Sequence, residues 1–299
     1  MRELFALVKR NVKLFFKDKG LFFTSLVTPM ILLFLYATFL AKVYKDSFLS
    51  SFGAYDPSYE LANAFVGGQL VSSLVAVCAV TVSFCSNMLM VQDKMSGARK
   101  DLFLTPVKPS TLALGYYIST VVTTFLVCLV AIAAGFIYLA FVGWYLSFLD
   151  ILGLFADTLL LVLFGSALSS IVNRFLSSQG QISAVGTIVS AGYGFICGAY
   201  MPISQFGKGL QNVVAFFPGT YGTSLTRNHA LAGVFRKMAE NELYPPALID
   251  GLKDAVDCNL YFFGKCVPVG GMYAVLAISV SLLIAAYVFI HVFATKKGK

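Results

Sequence analysis

The chain has 299 residues, of which 58% are hydrophobic and only 12% are charged. A soluble domain of average composition carries about twice that share of charged residues, so these proportions exclude an ordinary soluble domain and indicate an integral membrane protein. The formal net charge of +8 does not indicate a nucleic-acid partner, because the basic residues lie in short islands between apolar stretches and follow membrane topology instead.

The first 19 residues predict an amphipathic helix that lies on the membrane surface. A helical repeat places Leu4 and Phe15 on one side and Arg10 and Lys17 on the other. Such a helix buries its apolar side in the bilayer interface and keeps its basic side against anionic headgroups. The segment is too highly charged to cross the membrane.

Six apolar stretches predict an all-α membrane protein with six transmembrane helices. The first contains 22 uncharged residues between Lys19 and Lys42, about the length that crosses roughly 30 Å of hydrocarbon. A tight turn is expected around Gly143, between the third and the fourth stretch. The six predicted spans lie between Lys19 and Lys42, in 61–92, at about 111–141, at about 147–172, from Ile182 to a break near Pro202, and between Lys265 and Lys296.

Lys and Arg predict the orientation, since cytoplasmic loops carry an excess of these residues. The first 19 residues hold six of them, the loop at 93–108 holds four and the tail after the last span holds three, against two in the first loop on the other side. Both termini are therefore predicted to lie in the cytoplasm, with the protein in the plasma membrane. The long loop after the fifth span is predicted to be extracellular.

Four small residues recur at every fourth position of the fifth span: Gly186, Ser190, Gly194 and Gly198. On a helix they form one stripe, along which the backbone of a neighbouring helix can approach closely. The stripe therefore predicts a packing or dimer interface.

The chain breaks directly after this stripe. Pro202 cannot continue the helical hydrogen-bond ladder, and the apolar stretch Gln205–Phe217 carries polar residues such as Lys208 that prevent a full crossing. It predicts a short amphipathic helix that re-enters the extracellular membrane face and ends at Pro218, sheltered by protein or by a water-filled cavity. The alternative is a surface helix after an ordinary span.

The sequence lacks the motifs of enzymatic chemistry. It has no G-x-x-x-x-G-K-[ST] loop to cradle a nucleotide, and its two histidines belong to no metal-binding or nucleophilic pattern. We therefore predict that the chain is not an enzyme and carries no cofactor or metal of its own.

Asp157 is the one acidic residue predicted to lie well inside a span. Burial of an ionised group without a partner is costly, so such a residue marks a functional site unless it has structural partners. We favour a structural acid paired with a Thr, an Asn or a backbone group. The alternative is a proton carrier.

Cys258 and Cys266 are the two cysteines in a polar stretch, and the predicted topology places this stretch in the oxidising extracellular compartment. Seven residues separate them, and Gly264 among these helps the chain to turn back. This arrangement predicts a disulfide between the two cysteines. Two free thiols, or a bridge to a second copy of the chain, are the alternatives.

Two segments resemble parts of a known family. GARKDLFLTPVKPSTLALGYY at Gly97–Tyr117 has a charged loop and a Thr-Pro element, and GAYMPISQFGKGLQNVVAFFPGTYGTSLTR at Gly198–Arg227 has a proline break, an amphipathic stretch, a second proline and a closing arginine. With its N-terminal helix and six predicted spans, the chain resembles the permease subunit of ABC-2 type ATP-binding cassette exporters over essentially its whole length. The resemblance implies a single transmembrane domain over 1–299, with an interfacial helix at 1–19, a cytoplasmic coupling loop at 93–109 and an extracellular re-entrant segment and loop at 203–268.

The resemblance also implies partners. It implies a homodimer, or a heterodimer with a similar permease, and two separate ATPase subunits that hold ATP and Mg on the cytoplasmic face. The coupling loop would fit a groove on the ATPase, and a loop that is merely solvated is the alternative. The candidate coupling residues are Asp93, Lys94, Arg99, Lys100 and Asp101.

The fold does not decide the substrate of such a transporter. The chain has 28 Phe, 15 Tyr and a single Trp, which favours export of an amphipathic drug, peptide or lipid-like substrate. A glycan or polysaccharide exporter of the same family is one alternative. A secondary transporter driven by protons through Asp157 is the other, and the absence of an evident inverted repeat in the sequence disfavours it.

Overall fold

The computed structural model describes residues 2–52, 57–105 and 107–296. Two lysines that entered the orientation count, Lys297 and Lys299, lie outside these ranges. The described residues form helices and one two-stranded antiparallel sheet. The helices are α1 (Arg2–Lys17), α2 (Lys19–Leu35), α3 (Ala41–Ser50), α4 (Tyr59–Met95), α5 (Ala98–Leu104), α6 (Pro109–Val142), α7 (Phe148–Phe175), α8 (Gln179–Ile196), α9 (Lys208–Val214), α10 (Pro218–Ala239), α11 (Pro246–Ala255) and α12 (Val269–Lys296).

Among the described residues, five helical segments are long and apolar enough to cross a membrane, which makes the chain a multi-pass membrane protein. They agree with five of the six predicted spans. The remaining one coincides with α8, whose 18 residues include Gln179, Gln181 and several glycines, so its mean hydropathy is lower and the count of six stays a prediction. The five segments are Lys19–Ser50, Tyr59–Met95, Pro109–Val142, Phe148–Phe175 and Val269–Ile290.

The first of these segments extends beyond the predicted end of its span near Lys42. Helix α2 continues through a π-helical turn at Tyr36–Leu40 into α3, which ends at Ser50. Helix α3 remains ordered because its apolar side is buried, and the ring of Phe48 stacks on the ring of Phe65 in α4 at a centroid distance of 4.4 Å.

Helix α4 lies at the centre of the bundle. It is buried along most of its 37 residues, and α2, α6, α7, α8 and α10 pack around it. Small residues permit this packing: a Cβ at Gly68 would lie 2.7 Å from the carbonyl oxygen of Ala230, and one at Gly165 would lie 2.6 Å from that of Ala79. Such close backbone approach is typical of helices that associate inside a membrane.

Helix α10 occupies a region that the sequence predicted to be a loop. It begins next to Phe217, whose ring contacts Phe164 in the middle of α7 at a centroid distance of 6.0 Å. It ends near Arg236, which bonds to Asp150 in the first turn of α7. Helix α10 therefore runs antiparallel to the first half of α7 and packs against α4 as well.

The stretch predicted as an amphipathic helix, Gln205–Phe217, contains the short helix α9. A 3-10 turn at Ile203–Gln205 precedes it. In α9 the side chain of Val214 is buried and those of Leu210 and Val213 are exposed, so apolar residues lie on both sides of the helix and its re-entrant character stays a prediction.

A β-hairpin follows α11. Its strands are β1 (Leu260–Phe262) and β2 (Lys265–Val267), and Tyr261 pairs with Cys266 in their register. Phe263 and Gly264 form the two-residue turn with positive φ values of 48° and 81°. The hairpin leads directly into α12.

Candidate functional site

Helix α1 packs against the bundle at the end where α4 finishes and α6 begins. The side chains of Leu7, Met90 and Leu112 form a small buried cluster there with Tyr116. Of the predicted apolar side of α1, Phe15 is buried, whereas Phe5 and Phe16 are exposed. The buried side of α1 consists of Leu7, Asn11 and Phe15. Packing of α1 on α6 was not predicted, because an amphipathic pattern does not distinguish a protein partner from a lipid one.

Asp93 lies in this contact. Its carboxylate accepts two hydrogen bonds from the guanidinium of Arg10, at 2.6 and 2.9 Å, and one from the hydroxyl of Tyr116 at 2.7 Å. The hydrogen bond to Asp93 raises the pKa of Arg10. Asp93 is therefore buried and joins α1, α4 and α6, although the sequence grouped it with the residues of an exposed loop.

Two other predicted coupling residues also face the bundle. Lys94 donates a 2.9 Å hydrogen bond to the carbonyl oxygen of Leu176, just past the end of α7, and Arg99 is partly buried. Lys100 and Asp101 are exposed on α5, the short helix that follows the left-handed residue Gly97. The structure thus divides the five candidates, and two of them lie on a surface that a partner can reach.

The exposed side of α5 includes an apolar residue. Leu104 is exposed and lies one helical turn from Lys100, so the two side chains share a face with that of Asp101 beside them. We call Lys100, Asp101 and Leu104 the α5 face. Sequence reasoning singled out its charges and missed Leu104, which occurs in the apolar run just before Thr105.

A groove of about 690 Å³ runs between α2 and α8, with α4 as its floor. Gly186 and Ser190 of the predicted stripe line it, together with the side chains of Met88 and Ile31. The groove is mostly apolar and contains several hydroxyl groups. Its lining comprises Asp18, Gly20, Leu21, Thr24, Val27, Thr28, Ile31, Cys85, Met88, Gln92, Gln179, Ile182, Ser183, Gly186, Thr187, Ser190 and Ala191.

The other two residues of the stripe, Gly194 and Gly198, pack against or turn within the same chain and do not line the groove. A Cβ at Gly194 would lie 2.4 Å from the ring of Tyr200, and Gly198 has a φ of 76° in the turn after α8. Both glycines are therefore required by contacts or conformations within one chain. Sequence spacing alone did not separate them from Gly186 and Ser190.

A buried ion pair stabilises the break after α8. Arg227, fully buried in α10, donates 2.8 Å hydrogen bonds to the carbonyl oxygens of Gly198 and Val256 and lies 3.3 Å from Asp257. Asp257 also accepts hydrogen bonds from the backbone amides of Ile203 and Ser204 at 2.6 and 3.0 Å. The network joins the segment 198–204, α10 and the end of α11. Sequence reasoning noted the arginine and missed its acidic partner, which lies 30 residues away.

Asp157 is fully buried in α7 and has side-chain partners that were not predicted. Its carboxylate lies 2.5 Å from Nδ1 of His229 in α10 and accepts a short hydrogen bond from the hydroxyl of Tyr273 in α12. The expected Thr, Asn or backbone partner is therefore wrong. The sequence placed His229 in a distant loop, whereas α10 brings it to the depth of Asp157.

The structure does not support the predicted disulfide. Cys258 and Cys266 are both free; Cys258 is buried in a cluster with Phe48 and Leu252, and Cys266 is exposed on β2. Burial raises the pKa of the Cys258 thiol to about 12, which suppresses the reactive thiolate. In this packing the two side chains point to different surroundings, so the short sequence separation does not bring the sulfur atoms together.

Comparison with known protein families matches residues 2–230 to the family described as ABC-2 type transporter. The chain belongs to this family. The match confirms the resemblance drawn from the segments at 97–117 and 198–227, both of which lie within it. No curated protein matches the chain.

The ABC-2 membrane domain is a transport permease and not a catalytic domain. Among its described residues the ABC-2 protein has no group of three or more His, Cys, Asp or Glu that is able to hold a metal ion.

Proposed function

We propose that the chain is the permease subunit of an ATP-driven exporter and receives its energy from a separate ATPase through the α5 face. The observation that carries this proposal is the position of α5, which connects the central helix α4 to α6 and exposes Lys100, Asp101 and Leu104. Family membership supports the same conclusion. A permease of this kind needs no nucleotide site of its own.

The contacts around α5 supply a mechanical route into the bundle. Asp93, two residues before the end of α4, is held by Arg10 of α1 and by Tyr116 of α6. A force on α5 therefore acts on three helices that are bonded to each other. ATP-driven closure of two ATPase subunits, which hold ATP and Mg, would move these helix ends together.

We also propose the topology predicted from the sequence, with six crossings, cytoplasmic termini and a plasma-membrane location. In this arrangement α8 and α10 share the fifth crossing. Helix α8 measures about 27 Å at 1.5 Å per residue. Near its end the ring of Tyr193 contacts that of Phe217, which in turn contacts Phe164 in the middle of α7, and α10 continues from there along the first half of α7. The segment between them, 197–217, is then the re-entrant part, sheltered by the Arg227 network.

The groove between α2 and α8 is our candidate for half of the transport path. In a twofold dimer, with a second copy or a similar permease, two such grooves face each other across the axis. Apolar side chains with scattered hydroxyls suit an amphipathic drug, peptide or lipid-like substrate. This composition makes a glycan substrate less favourable. We propose a structural role for Asp157, whose carboxylate joins α7 to His229 of α10 and Tyr273 of α12.

The test compares charge and polarity changes at two exposed places. Lys100→Glu combined with Leu104→Gln alters the α5 face, and Glu242→Lys alters the exposed loop between α10 and α11. We expect the first variant to lose roughly tenfold or more in affinity for the partner ATPase, which corresponds to about 1.4 kcal/mol. The control variant should bind as the wild type does.

Co-purification, ATP turnover of the complex and substrate uptake into inverted vesicles are the measurements. The isolated permease should neither bind nor hydrolyse ATP. The proposal is wrong if the altered α5 face leaves binding, turnover and transport at the level of the control, or if the isolated chain binds nucleotide at micromolar concentration.

A further inference from the structure

We propose that Phe216, Phe262 and Phe263 form a lipid-contact patch that lies against the acyl chains of the bilayer. The three rings contact each other, with centroid distances of 5.3 Å (Phe216 to Phe262), 5.8 Å (Phe216 to Phe263) and 4.9 Å (Phe262 to Phe263). Their exposed fractions are 67%, 36% and 59%. Three large apolar side chains that touch each other and remain exposed require a covering partner.

The depth of the patch points to lipid as that partner. Phe217, next to Phe216, contacts Phe164, which lies roughly 24 Å along α7 from its first residue, Phe148. On the other side, the hairpin ends two residues before Val269, the start of a membrane span. The patch therefore lies beside the membrane-spanning helices and not beyond their ends.

Helix α9 extends the patch along the same surface. Leu210, Val213 and Phe216 recur at every third residue and are all exposed, while Val214 on the other side is buried in the core. This is the pattern of a helix that presents one apolar face to its surroundings.

Two basic residues flank the apolar surface. Lys208 begins α9, Lys265 follows the hairpin turn, and both are exposed. Lysine at the edge of an inserted surface extends its ammonium group to the phosphates of the headgroups. The patch thus combines aromatic rings, which prefer the membrane interface, with charges that complement anionic lipid.

The hairpin turn presents one of these rings at its tip. Phe263 has a φ of 48°, in the left-handed region where two-residue turns favour Asn or Gly. The pairing of Phe262 with Lys265 closes the turn and keeps the ring of Phe263 away from the core. The turn therefore holds a large apolar ring at an exposed position, in contact with the rings of Phe216 and Phe262.

The neighbouring span favours lipid over a second copy of the chain. Helix α12 follows the hairpin and is exposed along one side at Ile278, Leu282 and Phe289, which makes it a lipid-facing surface continuous with the patch. The lipid-contact patch depends on the membrane location of the chain and not on the exported substrate. The patch and the proposed exporter function can therefore fail separately.

The single tryptophan of the chain, Trp144, allows a direct test. In a Trp144→Phe background, Phe263→Trp places one indole in the patch, and Leu243→Trp places one on the exposed loop after α10 as the matched control. Both proteins are reconstituted into phosphatidylcholine vesicles containing phosphatidylglycerol, with or without lipids brominated along their acyl chains. Phe262→Trp serves as a second probe if the first variant does not fold.

We expect the indole of Phe263→Trp to emit at shorter wavelength than that of Leu243→Trp and to lose several-fold more of its fluorescence to brominated lipid. Acrylamide, which quenches from the water, should quench Leu243→Trp more strongly than Phe263→Trp. Equal quenching of both variants by acrylamide, with no effect of bromine, would overturn the proposal. Protection of the patch from both quenchers, lost when the protein is diluted to monomers, would assign it to a second copy and also overturn it.

Discussion

Replacement of Asp257 by Asn tests the ion pair that holds the break after α8. Asn keeps the size of the side chain and removes its charge, so the fully buried guanidinium of Arg227 loses its counter-ion. Removal of one partner of a buried pair costs about 3–5 kcal/mol. Arg227 keeps its two 2.8 Å hydrogen bonds to the carbonyls of Gly198 and Val256, which places the expected loss toward the lower end of that range.

A second contribution comes from the backbone amides. The carboxylate of Asp257 accepts from Ile203 with one oxygen and from Ser204 with the other. Asn has a single acceptor oxygen, so one of these amides loses its partner, and a buried amide without an acceptor costs about 1–3 kcal/mol. The expected total loss of stability is about 3–5 kcal/mol, since the two effects share the same side chain.

Unfolding in mixed micelles with increasing SDS, followed by circular dichroism, measures this loss. Asp250→Asn, which removes an exposed carboxylate from α11, is the matched control and should change the unfolding free energy by less than about 0.5 kcal/mol. Arg227→Met combined with Asp257→Asn should cost less than the sum of the single changes, because it leaves no unpaired charge. A loss below about 1 kcal/mol for Asp257→Asn, or additivity in the double variant, would refute the reasoning.

Two further predictions concern residues whose roles changed between sequence and structure. Gly194→Leu should lower stability by about 1–3 kcal/mol in the same unfolding assay, because a Cβ there meets the ring of Tyr200, whereas Gly192→Leu, with nothing within 4 Å, should not. Equal effects of the two changes would contradict this account. Maleimide should label Cys266 but not Cys258 in native, unreduced protein, because one thiol is exposed and the other is buried with a pKa of about 12. If neither cysteine is labelled until reductant is added, the result would support the disulfide and contradict this prediction.

Sequence reasoning succeeded where the signal is local. The first, second, third, fourth and last spans were predicted, since about 20 consecutive apolar residues suffice to cross a bilayer and their sum depends on nothing outside the segment. The family resemblance was also local, because both motif segments are continuous in the chain. Helix α10 was missed for the converse reason, because its buried threonines, serine and arginine are polar in sequence. In the fold they are satisfied by carbonyl groups of α10 itself and of the segments before and after it, and by Ser73 of α4.

The partners of the buried charged residues are known only from the tertiary structure. Composition and spacing by themselves determined that this chain is a multi-pass membrane protein with a charged loop after its second span. Only the packing of helices decided that Asp93 faces Arg10, 83 residues away, and that Asp157 faces His229, 72 residues away. The physical reason is that hydropathy is a property of neighbours along the chain, whereas the cost of a buried charge depends on which side chain the fold brings within hydrogen-bond distance.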